Sequence, residues 1–188
     1  LSLNFIYDSR DNLINPYRGS YFHANFRYNP TFLGSSRNSS SLWLEFRTYR
    51  SLSKQRPRHL VGFWLFGSFR VSGRQPYLTL MALGEDQRAR SGRGYIAGRY
   101  RGDNLVYGEV EYRFPISPCS GILGGVVFVN AVTASNQSRD LPLFEHIRVG
   151  AGAGLRVMLN KDFRTNINVD FGAGSNSRGL YFSGTETF

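Results

Sequence analysis

The stretch Leu105-Val106-Tyr107-Gly108-Glu109-Val110-Glu111-Tyr112-Arg113-Phe114 sorts its side chains by parity. Val106, Val110, Tyr112 and Phe114 fall on one side, and Glu109, Glu111 and Arg113 on the other. A period of two is the spacing of a strand whose faces meet different surroundings. The same alternation recurs outward from this segment. Ser20–Tyr28 sets Phe22, Ala24, Phe26 and Tyr28 against Tyr21, His23, Asn25 and Arg27. Ser41–Arg50 sets Leu42, Leu44 and Phe46 against Glu45 and Arg47. Ile147–Leu159 and Arg164–Gly174 repeat it, the latter with Ile167, Val169 and Phe171 opposite Asn166, Asn168 and Asp170. His59–Val71 and Ile122–Ala134 are apolar on both faces, while Ser2–Asp8 and Leu180–Phe188 read as short terminal strands. No stretch keeps helical periodicity over three turns.

Strands of this length exceed the usual soluble strand of about 5–6 residues and match the ~9–11 that cross a bilayer at a tilt. Long and short connections interleave with one exception. Leu52–Arg58, Pro115–Gly121 and Asn160–Phe163 are short, whereas Asn29–Ser39, Ser135–His146 and above all Ser72–Asp103 are long. Short periplasmic turns and longer external loops are the asymmetry of an outer-membrane barrel. The fold expected is therefore all-β: a single antiparallel transmembrane β-barrel domain over 1–188, with one long external loop. Its polar face would line the lumen and its aromatic face would meet lipid.

Composition removes other classes. A net charge of +10 with 15% aromatic residues does not describe a disordered chain. One Cys leaves no disulfide framework and no Cys-rich metal site. Three dispersed His and no coherent Ser, His and Asp grouping point to no enzyme, metal or cofactor. The basic residues are scattered rather than gathered on one face, which argues against nucleic acid and fits anionic lipid equally well. The N-terminal stretch opens with no basic region, so any targeting segment is expected to have been removed. Arg101-Gly102-Asp103 and Asn136-Gln137-Ser138 are read as chance matches, and Cys119 as a small residue in a Pro-rich turn.

Three motifs are more specific. They are Asp8-Ser9-Arg10-Asp11-Asn12 with Asn15-Pro16-Tyr17-Arg18-Gly19, then Arg93-Gly94-Tyr95-Ile96-Ala97-Gly98-Arg99-Tyr100-Arg101-Gly102-Asp103-Asn104, then Gly152-Ala153-Gly154-Leu155-Arg156 with Val169-Asp170-Phe171-Gly172 and a terminal Phe188. Together they resemble the bacterial surface antigen domain, the barrel of the superfamily that includes BamA, TamA and FhaC. The resemblance covers the whole chain as the C-terminal half of that sixteen-stranded barrel. It implies that the long loop folds back into the lumen, where its tip, Arg93, Gly94 and Tyr95, brings Arg93 to Asp170. Glu109 and Glu111 share the lumenal side with Asp170 and are competing acceptors. Gly92 stands where the family often carries an aliphatic residue.

Phe188, as barrel-recognition C-terminus, is expected at the periplasmic face. Counting back from it makes Ser2–Asp8 a ninth strand, whereas single-chain bacterial barrels have even counts. Either eight strands span, or the chain is part of a larger or dimeric barrel. An eight-stranded lumen is filled by its own side chains, so an inserted loop needs a wider one. No room precedes Asp8 for periplasmic client-capture domains, so none are expected. The resemblance implies a bacterial outer-membrane protein linked to insertion or translocation of proteins, its partners being outer-membrane lipid and lipopolysaccharide, client or assembly-machinery proteins, or a second copy. The alternatives are a passive pore or membrane anchor, or the barrel part of a larger secreted protein.

Overall fold

A computed structural model describes residues 1–117, 121–137 and 140–188. Cys119 and Ser138, and the readings that touch them, lie outside this set. Among the described residues, nine antiparallel strands follow one another in chain order across a single sheet. They are β1 (Ser2–Asp8), β2 (Gly19–Asn29), β3 (Ser39–Ser51), β4 (Leu60–Ser72), β5 (Asn104–Pro115), β6 (Leu123–Ser135), β7 (Arg148–Asn160), β8 (Thr165–Gly174) and β9 (Ser177–Ser183). Consecutive strands pair because each is joined to the next by a connection on the same rim, and β1 and β9 form the two margins. The segment whose span was left open, Ser2–Asp8, pairs with β2 at all seven positions, from Ser2 opposite Arg27 to Asp8 opposite Tyr21. The strands β3, β4, β6 and β7 each run to 13 residues.

Alternation sets the two surfaces. Val110, Val127, Val129, Leu155, Ile167 and Phe171 stand exposed on the outer face, while Glu109, Glu111, Arg113, Arg156 and Asp170 are buried on the inner one. An apolar outer surface of this extent suits hydrocarbon, where sheet hydrogen bonds satisfy the backbone.

One expectation needs correction. The lumenal side is not uniformly polar: Tyr49, Trp64, Phe66, Leu105 and Tyr107 face inward and form a cluster with Leu83, Tyr95 and Phe188. The long connection of residues 73–103 folds back onto the inner face of the sheet. Leu83 and Tyr95 are among its buried residues, and they cover the inward aromatics. The two features share a cause. An apolar stripe on the inner wall is stable only where something shields it from water, and the loop and the C-terminal residues do so. The last strand is also shorter than the Leu180–Phe188 expected, ending at Ser183.

A charge ring at the loop tip as candidate functional site

The loop holds its own shape before it meets the wall. Ala82 and Arg101 form an isolated bridge, and the Leu83 and Gly98 amides donate to the carbonyls of Tyr100 and Leu83 at 2.9 and 2.7 Å. The Asp86 carboxylate accepts from the amides of Arg88, Arg90 and Ser91 at 2.8–3.1 Å, which closes the turn leading to the tip. Gly92 then adopts φ +79°, and a Cβ there would lie 2.5 Å from the Leu83 side chain. Leu83, from nine residues earlier, thus occupies the space that a side chain at Gly92 would need.

The tip seats on small residues of β7 and β8. Gly94 has φ +102°, and a Cβ on it would lie 2.9 Å from the Ala173 carbonyl carbon. A Cβ on Gly172 would in turn lie 2.6 Å from the Gly94 nitrogen, so only glycines let the two backbones approach this closely. The Gly94 amide donates to the Tyr181 hydroxyl at 2.8 Å, and that hydroxyl donates to the Tyr95 carbonyl at 3.2 Å. Tyr95 donates its own hydroxyl to the Val149 carbonyl at 2.5 Å. Asn130, opposite Glu109 in the β5–β6 register, donates to the Arg93 carbonyl at 2.9 Å. Neutral hydrogen bonds to β6, β7 and β9 thus orient the tip.

Arg93, 2% exposed, spreads its guanidinium between strands. One terminal nitrogen reaches Asp170 on β8 at 2.7 Å; the other reaches Glu111 on β5 at 2.7 Å and also pairs with Glu109. The guanidinium lies 3.7 Å from the centre of the Phe128 ring, a cation–π contact from β6. From these acceptors the pairing continues. Glu111 accepts from Arg113 Nε at 2.5 Å, and Arg113 lies 3.7 Å from Glu186. Glu186 accepts from Arg156 Nε at 2.8 Å, and Arg156 returns to Asp170 through a second nitrogen at 3.2 Å. The sequence Arg93, Glu111, Arg113, Glu186, Arg156, Asp170 and back to Arg93 is a closed ring of alternating charge, with Glu109 as a seventh member. It joins the loop, β5, β7, β8 and the C-terminal residues.

Charges removed from water need partners and hydrogen bonds on every side. The ring supplies most of them, with Arg93 Nε buried and unpartnered: Asn166 donates to Glu186 at 2.7 Å, Tyr107 donates to Glu109, and Arg90 donates to the Thr185 carbonyl at 2.9 Å. Each carboxylate is engaged by at least one guanidinium. The arrangement is suited to holding segments together, and among the described residues no group of His, Cys, Asp and Glu is spaced to hold a metal ion.

The structure thus brings Arg93, Gly94, Tyr95, Asp170, Glu109 and Glu111 to one place. Phe188 lies elsewhere than at a strand end. It is 1% exposed, with its ring centre 5.3 Å from that of Trp64 and 6.0 Å from that of Tyr49, and its carbonyl accepts from Arg113 at 3.1 Å. Residues 184–188 turn inward after Gly184. Continued as a strand beyond Leu180 and Phe182, which are exposed outside, Glu186 would follow them onto the apolar face. A carboxylate there is penalised, whereas inside it meets Arg113 and Arg156. Arg113 and Arg156 carried a signal, since both alternate with apolar residues onto the lumenal side. Glu186 was hidden by the strand expected over it.

The Omp85 superfamily domain matches residues 1–188. Among solved structures, the chain is similar to the crystal structure of BamA from Haemophilus ducreyi lacking POTRA domains 1-3, with a TM-score of 0.74 and 16% sequence identity. The match covers 96% of this chain and 40% of that one, so the chain spans well under half the length of this relative. At that identity the likeness is one of fold. No curated protein matches the chain.

Proposed function

This chain belongs to the Omp85 superfamily, and from that premise we propose that it takes part in the insertion or translocation of polypeptides at the bacterial outer membrane. The observation that carries the reading is the closed charge ring, which ties the tip of a loop some thirty residues long to three strands and to the segment following β9. Six charged groups on five segments, all withdrawn from water, form a joint with a defined closed position. Breaking the Arg93 contacts strands Glu109, whose ion-pair partner among the described residues is Arg93, so the loop tip is held or released together with the ring. Such a joint lets the loop report on, or set, the position of β8 and β9.

A passive pore is less well supported. The loop and residues 184–188 occupy the inner side of the sheet, where such a pore would need an open path. Outer-membrane lipid would contact the outer face, with Phe171, Leu180 and Phe182 among its exposed residues.

Reconstitution into liposomes tests the role. The parent protein is expected to accelerate insertion of a second, unfolded outer-membrane barrel, and Arg93→Ala or Asp170→Ala to slow it by about tenfold. One lost buried ion pair is worth more than the 1.4 kcal/mol that corresponds to that factor. Acceleration equal to that of empty liposomes, or variants indistinguishable from the parent, contradicts the proposal.

A further inference from the structure

The rim of short turns carries a second feature that the ring does not use. Between the β3–β4, β5–β6 and β7–β8 turns lies a cleft of about 380 Å³, closed on one side by Tyr17 from the β1–β2 turn. Arg56, Arg58, Lys161 and Arg164 line it, and no carboxylate does so among the described residues. Two of these cations are held in place. Arg58 donates to the Gly121 carbonyl, and Arg164 pairs with Asp11 at 2.8 Å while lying 4.1 Å from the centre of the Tyr17 ring. Burial raises the Asp11 carboxyl, but Arg164 and the amides of Tyr17 and Arg18 outweigh it and hold the group below its ordinary value. The other two cations, Arg56 and Lys161, are exposed and form no ion pair among the described residues.

We propose that this cleft binds the carboxylates of an acidic polypeptide segment. Four cations converging on one concavity, with walls of low dielectric constant, focus a positive potential where an anion would sit. Fixed Arg58 and Arg164 offer guanidinium groups for carboxylates, and exposed Arg56 and Lys161 add two further cations at the opening. Met158 and Tyr17 add apolar surface for neighbouring side chains of the ligand. Polypeptide is favoured over lipid by position. Arg58 and Met158 continue the inward-facing rows of Leu60 on β4 and Arg156 on β7, so the cleft opens at the mouth of the interior. Lipid headgroups lie around the outer wall instead. The proposal does not rest on the role of the charge ring.

Fluorescence anisotropy of a fluorescein-labelled hexaglutamate peptide tests it, with the protein in phosphatidylcholine nanodiscs. The double variant Arg56→Glu, Lys161→Glu alters two exposed side chains and leaves the buried contacts in place. It is expected to weaken binding at least tenfold, while Arg37→Glu on the opposite rim leaves it unchanged and a hexaglutamine peptide does not bind. Binding of the parent should also fall as salt rises. Equal affinity for parent and double variant, or equal loss in Arg37→Glu, overturns the proposal. So does a double variant that retains peptide binding and loses only association with phosphatidylglycerol vesicles, which marks a lipid site.

Discussion

Replacing Arg93 with alanine will free the loop of residues 73–103 from the inner wall. In the parent, one guanidinium pairs with Asp170, Glu109 and Glu111 together, and these three carboxylates and Arg93 are all at most 3% exposed. Without it, Asp170 keeps Arg156 and Glu111 keeps Arg113, but Glu109 is left with only the Tyr107 hydroxyl and Asn130. Removing one partner from a buried ion pair costs about 3–5 kcal/mol, because the stranded charge remains desolvated. Moving the tip outward and letting water reach Glu109 is cheaper than unfolding the sheet, whose strands have their own pairing. Limited trypsin digestion in detergent reads the outcome. Cleavage after Arg88 and Arg90, both half-buried in the parent, should appear while the strands stay intact. Arg93→Lys restores charge but not the fork that spans Asp170 and Glu111, so its loop should be cut at an intermediate rate.

Phe188→Ala will lower stability by a comparable amount through a different mechanism. The ring fills space between Tyr49 and Trp64, and a Cβ on Gly62 would lie 3.2 Å from it. Arg113 lies 5.7 Å from the ring centre while donating to the Phe188 carbonyl. Truncating a buried Phe costs about 3–5 kcal/mol from lost transfer energy and the cavity left behind. Trp64 becomes wet once that ring is gone, so its emission should shift to the red in the folded state, and the urea midpoint should fall. A terminal aromatic acting only as an assembly signal would leave both readouts of the folded protein unchanged.

The sequence revealed the wall more readily than its filling. Glu109, Glu111 and Asp170 could be assigned to the inner face because strand parity is rigid: a one-residue shift moves every side chain to the other side. The inward placement of Trp64 and Phe66 was not legible in the same way, because His59–Val71 is apolar on both faces and parity alone does not say which row is covered. The cover comes from Leu83, Tyr95 and Phe188, across long separations in the chain. The Arg93 pairing was reached through the resemblance and not through spacing, since nothing local places residue 93 beside residue 170. Glu186 needed one more inference. A carboxylate that would fall on an apolar face is itself a reason to end the strand at Gly184.

The central claim is that Arg93 and Asp170 are partners in one buried network. A double-mutant cycle measures this most directly, using urea unfolding of the parent, Arg93→Met, Asp170→Asn and the double variant in the same detergent. Residues in direct contact within a charge network show coupling of about 0.5–3 kcal/mol, and the predicted result lies in that range, with the double variant less destabilised than the sum of the two single changes. Strict additivity would contradict the account, for it would mean that the loop tip and β8 do not sense each other.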